Sequence, residues 1–291
     1  MPPITRTLLA ALLVVSLFSC QKQLADADDE KLAAATLLNL PYGSLPLQNM
    51  DAYLPAGRSS TTTKVMVIIH GGAWITGDKA DLNGFVDTLR RRNPDYALFN
   101  INYRLSDGVN HLFPTQENDV KLAVGFINSR RAQYGLSNKF VFMGASSGGH
   151  LALLQGYKYP APIAPKAVIA FSAPTDLNDM YTNPAGGLPA LADLLATAIG
   201  GTPVLAPLLY SNGGPINFVG PATPPTLLLH GTTDPLVSSR QAVLLQNKLQ
   251  LNGVPNRVIL YPGAAHVDTW TNTQFFDAFN KIAEFLATHV Q

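Results

Sequence analysis

Two adjacent serines, Ser146 and Ser147, stand among glycines in the stretch KFVFMGASSGGHLALL, Lys139–Leu154. A serine hydroxyl is a poor nucleophile until a neighbouring base takes its proton. The run reads as a buried strand passing directly into a helix. Gly-x-Ser-x-Gly at such a junction is the pattern of a nucleophile elbow, a strained turn that pushes the serine Oγ out beyond the end of the strand. The backbone folds on itself there, so the residues two places either side must be small. Ser146 has Gly144 and Gly148 in those places, whereas Ser147 has Ala145 and Gly149, a tighter fit. Ser146 is the expected nucleophile, and Ser147 is expected to contribute its amide rather than its hydroxyl.

After a serine in an elbow, the acid and then the histidine follow in chain order. Two histidines lie far enough on, His266 and His289. His289 falls two residues from the end of the sequence within a helical pattern and is expected to be solvated. His266 follows the apolar run NRVILYPG and is the expected base. Between Ser146 and His266 the only acidic residues are Asp176, Asp179, Asp193 and Asp234. Asp234 comes just after the run TLLLH, next before the run that leads to His266, so both loops leave the same edge. The expected triad is Ser146, Asp234 and His266, with Asp176 the alternative acid. The acid would hold the imidazole tautomer, and the imidazole would move the serine proton to the leaving group. An anionic intermediate needs donors, each of which is worth about 10²–10³ in rate. HGGAW, His70–Trp74, directly after the run KVMVII, offers the amides of Gly71, Gly72 and Ala73, joined by that of Ser147. His70, His150 and His230 are expected to be structural hydrogen-bonders.

These residues need elements to hold them. Near-continuous apolar runs recur at 64–70, 97–103, 139–144, 166–172, 225–231 and 256–263, as strands buried on both faces of a parallel sheet require. Most are separated by stretches with apolar residues at helical spacing; in the last of these, Phe275, Phe279, Ile282 and Leu286 form one core-facing stripe. Strand alternating with helix predicts an α/β fold with a mainly parallel central sheet and helices on both faces. Residues 194–233 carry no charged side chain and are rich in Pro and Gly. They predict a small irregular cap insertion, about 177–222, roofing the pocket, with Trp74, Tyr210 and Phe218 offering aromatic surface to a neutral acyl or sugar group. An anionic acyl group would want a basic partner there, because an unpaired buried charge costs several kcal/mol.

The chain has 291 residues, a formal net charge of +1 and 13% charged residues. Arg90–Arg92 and Arg130–Arg131 are its densest basic runs. They sit near expected helix ends, where cations complement the carbonyl terminus, and do not form the wide basic stripe a nucleic-acid face requires. No His, Asp and Glu cluster has metal-ligand spacing and no phosphate-binding glycine loop is present, so neither metal nor cofactor is expected. At the N-terminus, Arg6 precedes LLAALLVVSLF, eleven residues with one serine. That is shorter than the ~20 residues of a membrane-spanning helix and suits a signal peptide. It ends in LFSC, which resembles a lipobox with Cys20, the sole cysteine, as the lipidated residue. The expected organisation is a signal peptide at 1–20, a polar tether at 21–40 and a catalytic domain at 41–291. The product would be an exported lipoprotein held at a membrane by its lipid only.

VMVIIHGGAWITGDKAD, INYRLS, FPTQENDVKLAVGFINS, GASSGGHLALL, LLLHGTTDPLV and LYPGAAH, taken together, resemble the α/β-hydrolase fold carboxylesterases, in particular the feruloyl-esterase-like and hormone-sensitive-lipase-like groups. The likeness runs from about Met50 to Val290. It departs where Ser147 stands in place of the usual Ala and Ala73 in place of the frequent Gly. The resemblance implies a serine esterase that acts on small ester substrates through an acyl-enzyme. It also implies that Trp74 lines the acyl pocket and that Arg104 is structural. A formamidase or small amidase with the same triad is the alternative within enzymes, and an inert binding protein on a hydrolase scaffold is the alternative from another class.

Overall fold

The computed structural model describes residues 32–291. Eight strands form one sheet in the order β1-β2-β4-β3-β5-β6-β7-β8. They are β1 (Ala35–Pro41), β2 (Asn49–Leu54), β3 (Lys64–Ile69), β4 (Tyr96–Ile101), β5 (Phe140–Ala145), β6 (Ala167–Phe171), β7 (Thr226–Gly231) and β8 (Asn256–Tyr261). From β4 onward in that order every pairing is parallel, while β1 and β2 are antiparallel to their neighbours. The six apolar runs are the six parallel strands.

Alternation along β3 explains the layers. Val65, Val67 and Ile69 point into one core and Met66 and Ile68 into the other, as the two-residue period of a strand dictates. The first core is closed by α2 (Thr115–Ser129), α3 (Ser147–Lys158) and α7 (Arg240–Leu251), through Val124, Ile127, Leu151, Leu154, Leu245 and Leu249. The second is closed by α1 (Asn83–Arg92) and α8 (Asn272–His289), through Val86, Leu89, Phe279, Ile282 and Leu286. The five apolar side chains of β3 are at most 1% exposed. Each large one contributes about 1.5–3 kcal/mol by leaving water, so this central strand resists displacement. The loops at its carboxyl end inherit that rigidity.

Two expectations need correction. The tether does not reach residue 40, because β1 begins at Ala35 and pairs with β2, Ala35 opposite Leu54. Ala35, Leu37 and Leu40 pack on the core; alternation sets the register through Leu37, and a register shift between Leu37 and Leu40 brings Leu40 back to the same face. The insertion between β6 and β7 is not irregular either. It holds α4 (Leu177–Thr182), α5 (Pro189–Ile199) and α6 (Pro207–Gly213). Pro189 and Pro207 each open a helix, where the missing N–H costs nothing. Gly200, at φ 93°, closes α5. The prolines and glycines mark helix ends. The expected signal peptide and Cys20 lie outside the described residues.

Candidate active site

Ser146 joins β5 to α3 with φ 54° and ψ −123°, a conformation that is uncommon for any residue with a side chain. Its N–H donates to the Phe171 carbonyl at 2.8 Å, and its own carbonyl accepts from His150 N–H at 3.0 Å. A Cβ on Gly144 would run into the Gly148 backbone, and one on Gly148 into the Ile69 and His70 carbonyls. The two glycines that singled out Ser146 are thus the two the turn requires. Ser147 is buried, and its Oγ lies 3.4 Å from the Tyr103 hydroxyl.

Asp234 follows β7 and His266 follows β8, and these neighbouring strands bring them together. His266 Nδ1 stands 2.7 Å from Asp234 Oδ2. The amides of Leu236 and Val237 each donate to Asp234 Oδ1 at 2.9 Å. Burial alone would raise the Asp234 carboxyl, but the hydrogen bonds from His230, His266 and Val237 outweigh it and hold the group well below the usual carboxylate range. The site therefore presents an ionised acid behind an imidazole. Asp176, the alternative acid, caps α4 by accepting the Asp179 amide at 3.0 Å and has no hydrogen bond to a histidine.

Gly72, Ala73 and Trp74 have φ of 113°, 52° and 64°. A Cβ at Gly72 would strike the Thr76 carbonyl, so that position needs glycine. Ala73 accepts the left-handed conformation at a cost of roughly 1–2 kcal/mol. The Gly72 carbonyl is occupied by Ile75 and Thr76 N–H at 3.0 and 2.9 Å, which turns the chain back on itself. Among the described residues, the N–H groups of Gly72, Ala73 and Ser147 have no protein acceptor. Ser147 opens α3, where backbone donors are free by geometry.

Gly71, Gly72, Ala73, Ser146, Ser147 and His266 border one cavity of about 790 Å³. Trp74 borders it too. Tyr210 and Phe218 do not. Tyr210 has no exposed surface and faces the first core, because α6 docks on α3 with the Gly213 carbonyl 2.6 Å from His150 Nε2. Phe218 instead packs beneath Lys158 at 5.1 Å. The walls come from Met180 of α4, from Leu191, Leu194 and Leu195 of α5, and from Phe85 and Phe275. Among the described residues, no Lys or Arg borders the cavity, and Asp81 and Asp268, both exposed, stand at its edge.

The remaining histidines divide as follows. His70 stacks on Tyr103 at 4.2 Å and contacts the Gly71 carbonyl at 2.7 Å. Burial lowers the His70 imidazole, and it pushes that of His150 down to about 4. His289 is half-buried against Phe285 rather than solvated. His230 touches Asp234, a contact that the sequence did not signal. Arg104 grips Asp119 with Nε and Nη2 at 2.8 and 2.7 Å.

The sequence model of the BD-FAE family matches residues 50–249. Esterase LipC of Mycobacterium tuberculosis is 25% identical over 238 residues, covering 77% of this chain and 58% of that protein. Kynurenine formamidase avaC of Aspergillus versicolor is 31% identical over 134 residues, 40% of this chain and 46% of that protein. The chain spans 51–58% of the length of the first three curated relatives it matches. Among solved structures, a truncated carbohydrate esterase from gut microbiota superposes with a TM-score of 0.71 at 25% identity, covering 89% of this chain and 98% of that one.

Proposed function

The chain belongs to the BD-FAE family of α/β-hydrolases, and from that premise we propose that it is a serine hydrolase of neutral carboxylic esters. Ser146 Oγ attacks the ester carbonyl while His266 takes its proton. Asp234 holds His266 in the tautomer whose Nε2 is free to accept, and the amides of Gly72, Ala73 and Ser147, with Gly71 beside them, receive the developing oxyanion. The alkoxide leaves with the proton from His266, and water then releases the acid from Ser146. One observation carries the reading: an imidazole on a buried carboxylate at 2.7 Å shares a cavity with the elbow serine and unpartnered amides.

The substrate class follows from the walls. Aliphatic and aromatic surface without a cation suits an uncharged acyl group, such as an acetyl or feruloyl ester of a carbohydrate. The carbohydrate-esterase neighbour supports the same class. The partial relative named a kynurenine formamidase supports a second reading, hydrolysis of a formyl amide by the same triad. Labelling with a serine-reactive phosphonate, followed by peptide mapping, should mark Ser146. Rates across acetyl, feruloyl and longer-chain esters and a formyl amide should rank an ester first. Failure to label, with no hydrolysis of any of these, would leave an inert binding scaffold.

Export and anchoring belong to the proposal as well. The apolar run ending in LFSC supports lipidation of Cys20. A palmitate analogue should label the wild type and not Cys20→Ser. Label retained in the variant would refute the anchor.

A further inference from the structure

His230 stands at the end of β7, is 1% exposed and lies four residues before the acid. Its Nε2 is 2.8 Å from the Val237 carbonyl and 3.4 Å from Asp234 Oδ2. A carbonyl only accepts, so Nε2 carries the hydrogen. The stronger bond goes to Val237, and the same N–H dipole leans on the carboxylate. Val237 N–H in turn donates to Asp234 Oδ1 at 2.9 Å. A closed circuit results: His230 holds the Val237 carbonyl, the Val237 N–H on the preceding peptide holds one carboxylate oxygen, and His230 reaches toward the other. The Asp234 side chain has no exposed surface. Its charge is therefore shared among protein donors, namely Leu236 and Val237 at Oδ1 and His266 and His230 at Oδ2.

We propose that His230 is a positioning residue for the acid. It locks the turn 234–237 and draws part of the Oδ2 charge away from His266, setting the basicity of the imidazole that removes the serine proton. This rests on the reading of Ser146, Asp234 and His266 as the triad. Among the described residues, the one charged group bonded to the two imidazoles is Asp234, which follows β7. Asp268, two residues beyond His266, is exposed at the cavity edge. All of these remain in the variants below.

His230→Phe keeps a ring in place and removes the N–H. Oδ2 then bears more charge toward His266, which favours the protonated imidazole. Attack requires the neutral form, so the low-pH limb of kcat/KM moves to higher pH. A shift of about half a pH unit or more is expected, with kcat down about tenfold as the turn loosens; both fall within the reach of a single hydrogen bond to a charged group. His230→Gln places a side-chain N–H toward the same carbonyl and should return the limb to its wild-type position and most of the rate. Nitrogen-15 spectra of histidine-labelled wild type should show a proton on His230 Nε2, directed at the Val237 carbonyl, and they do not depend on any variant folding.

Three results overturn the proposal. One is a wild-type limb and rate in His230→Phe. Another is equal loss in the Phe and Gln variants with an unmoved limb, which would make His230 packing alone. The third is a His230 proton on Nδ1. If the wild type hydrolyses no ester, the functional reading fails separately, and the nitrogen spectrum still decides where His230 directs its proton.

Discussion

Asp234→Asn exchanges one acceptor oxygen for an amide that can only donate, at a position where every partner is a donor. Oδ1 takes two backbone N–H groups at 2.9 Å and Oδ2 takes His266 at 2.7 Å. The new amide must face one side or the other. Facing the turn would set it against two peptide N–H groups at 2.9 Å, whereas facing His266 sets it against that imidazole, which can change tautomer, and against the more distant His230 N–H at 3.4 Å. The Asn oxygen therefore stays with Leu236 and Val237, and the NH₂ group meets His266 Nδ1. That nitrogen becomes the acceptor and the hydrogen moves to Nε2, the atom that must take the serine proton. Tautomer inversion of this kind costs about 10⁴ in kcat, or about 5.4 kcal/mol of barrier. KM should change little, since no atom of Asp234 borders the cavity. The assay is initial-rate hydrolysis of an acetyl ester at pH 7–8, with Asp176→Asn as control; that change alters only a helix cap and should stay within about threefold. A drop of less than tenfold in Asp234→Asn, or a larger drop in the control, would refute the assignment of the acid.

Ser146→Ala should abolish turnover while Ser147→Ala retains substantial activity, because the Ser147 hydroxyl is turned toward Tyr103 and only its amide faces the reaction; equal losses in steady-state kinetics would remove the distinction. A neutral acetyl ester should exceed the matching hemisuccinate in kcat/KM by about tenfold or more, since ~1.4 kcal/mol is a factor of ten and the cavity edge offers Asp81 and Asp268 but, among the described residues, no cation; equal rates would mean that a basic group reaches the pocket. The depressed Asp234 carboxyl contributes stability that is complete above its unfolded value of about 3.9 and is lost as pH falls below that toward the lower folded value. Urea midpoints of the wild type should thus fall more between pH 5 and pH 2 than those of Asp234→Asn, and parallel curves would contradict the shift.

The pairing of Asp234 with His266 beside the Ser146 cavity was legible because scarcity and chain order did the sorting, with four acids between serine and histidine and one of them behind the strand before His266. The elbow was legible because two glycines fit only one of two serines. The pocket wall was not. Tyr210 and Phe218 were chosen for type, yet direction in a helix depends on how it docks, and α6 turns Tyr210 inward. The usable signal was the spacing of Leu191, Leu194 and Leu195, an i, i+3, i+4 stripe on a helix that was read as irregular because its flanking prolines and glycines were taken for breakers. The strand β1 escaped notice because its alternation is short and follows a polar run. His230 escaped because a buried histidine bonded to a carbonyl looks structural until its second neighbour is known.

The placement of the insertion makes substrate choice and bond-breaking separable by cut and graft. It leaves the sheet after β6 and returns at β7, while Ser146 follows β5, the loop 71–74 follows β3, and Asp234 and His266, the proposed acid and base, follow β7 and β8. Helices α4 and α5 give the cavity only apolar side chains, Met180, Leu191, Leu194 and Leu195. The charge-handling parts lie on loops that the insertion does not interrupt. Its hydrogen bonds to α3, Gly213 to His150 and Asn212 to Lys158, lie at the far end, beyond α5. A transplant that exchanges 177–199 and retains 207–218 would carry a foreign acyl preference into this chain and leave its chemistry native.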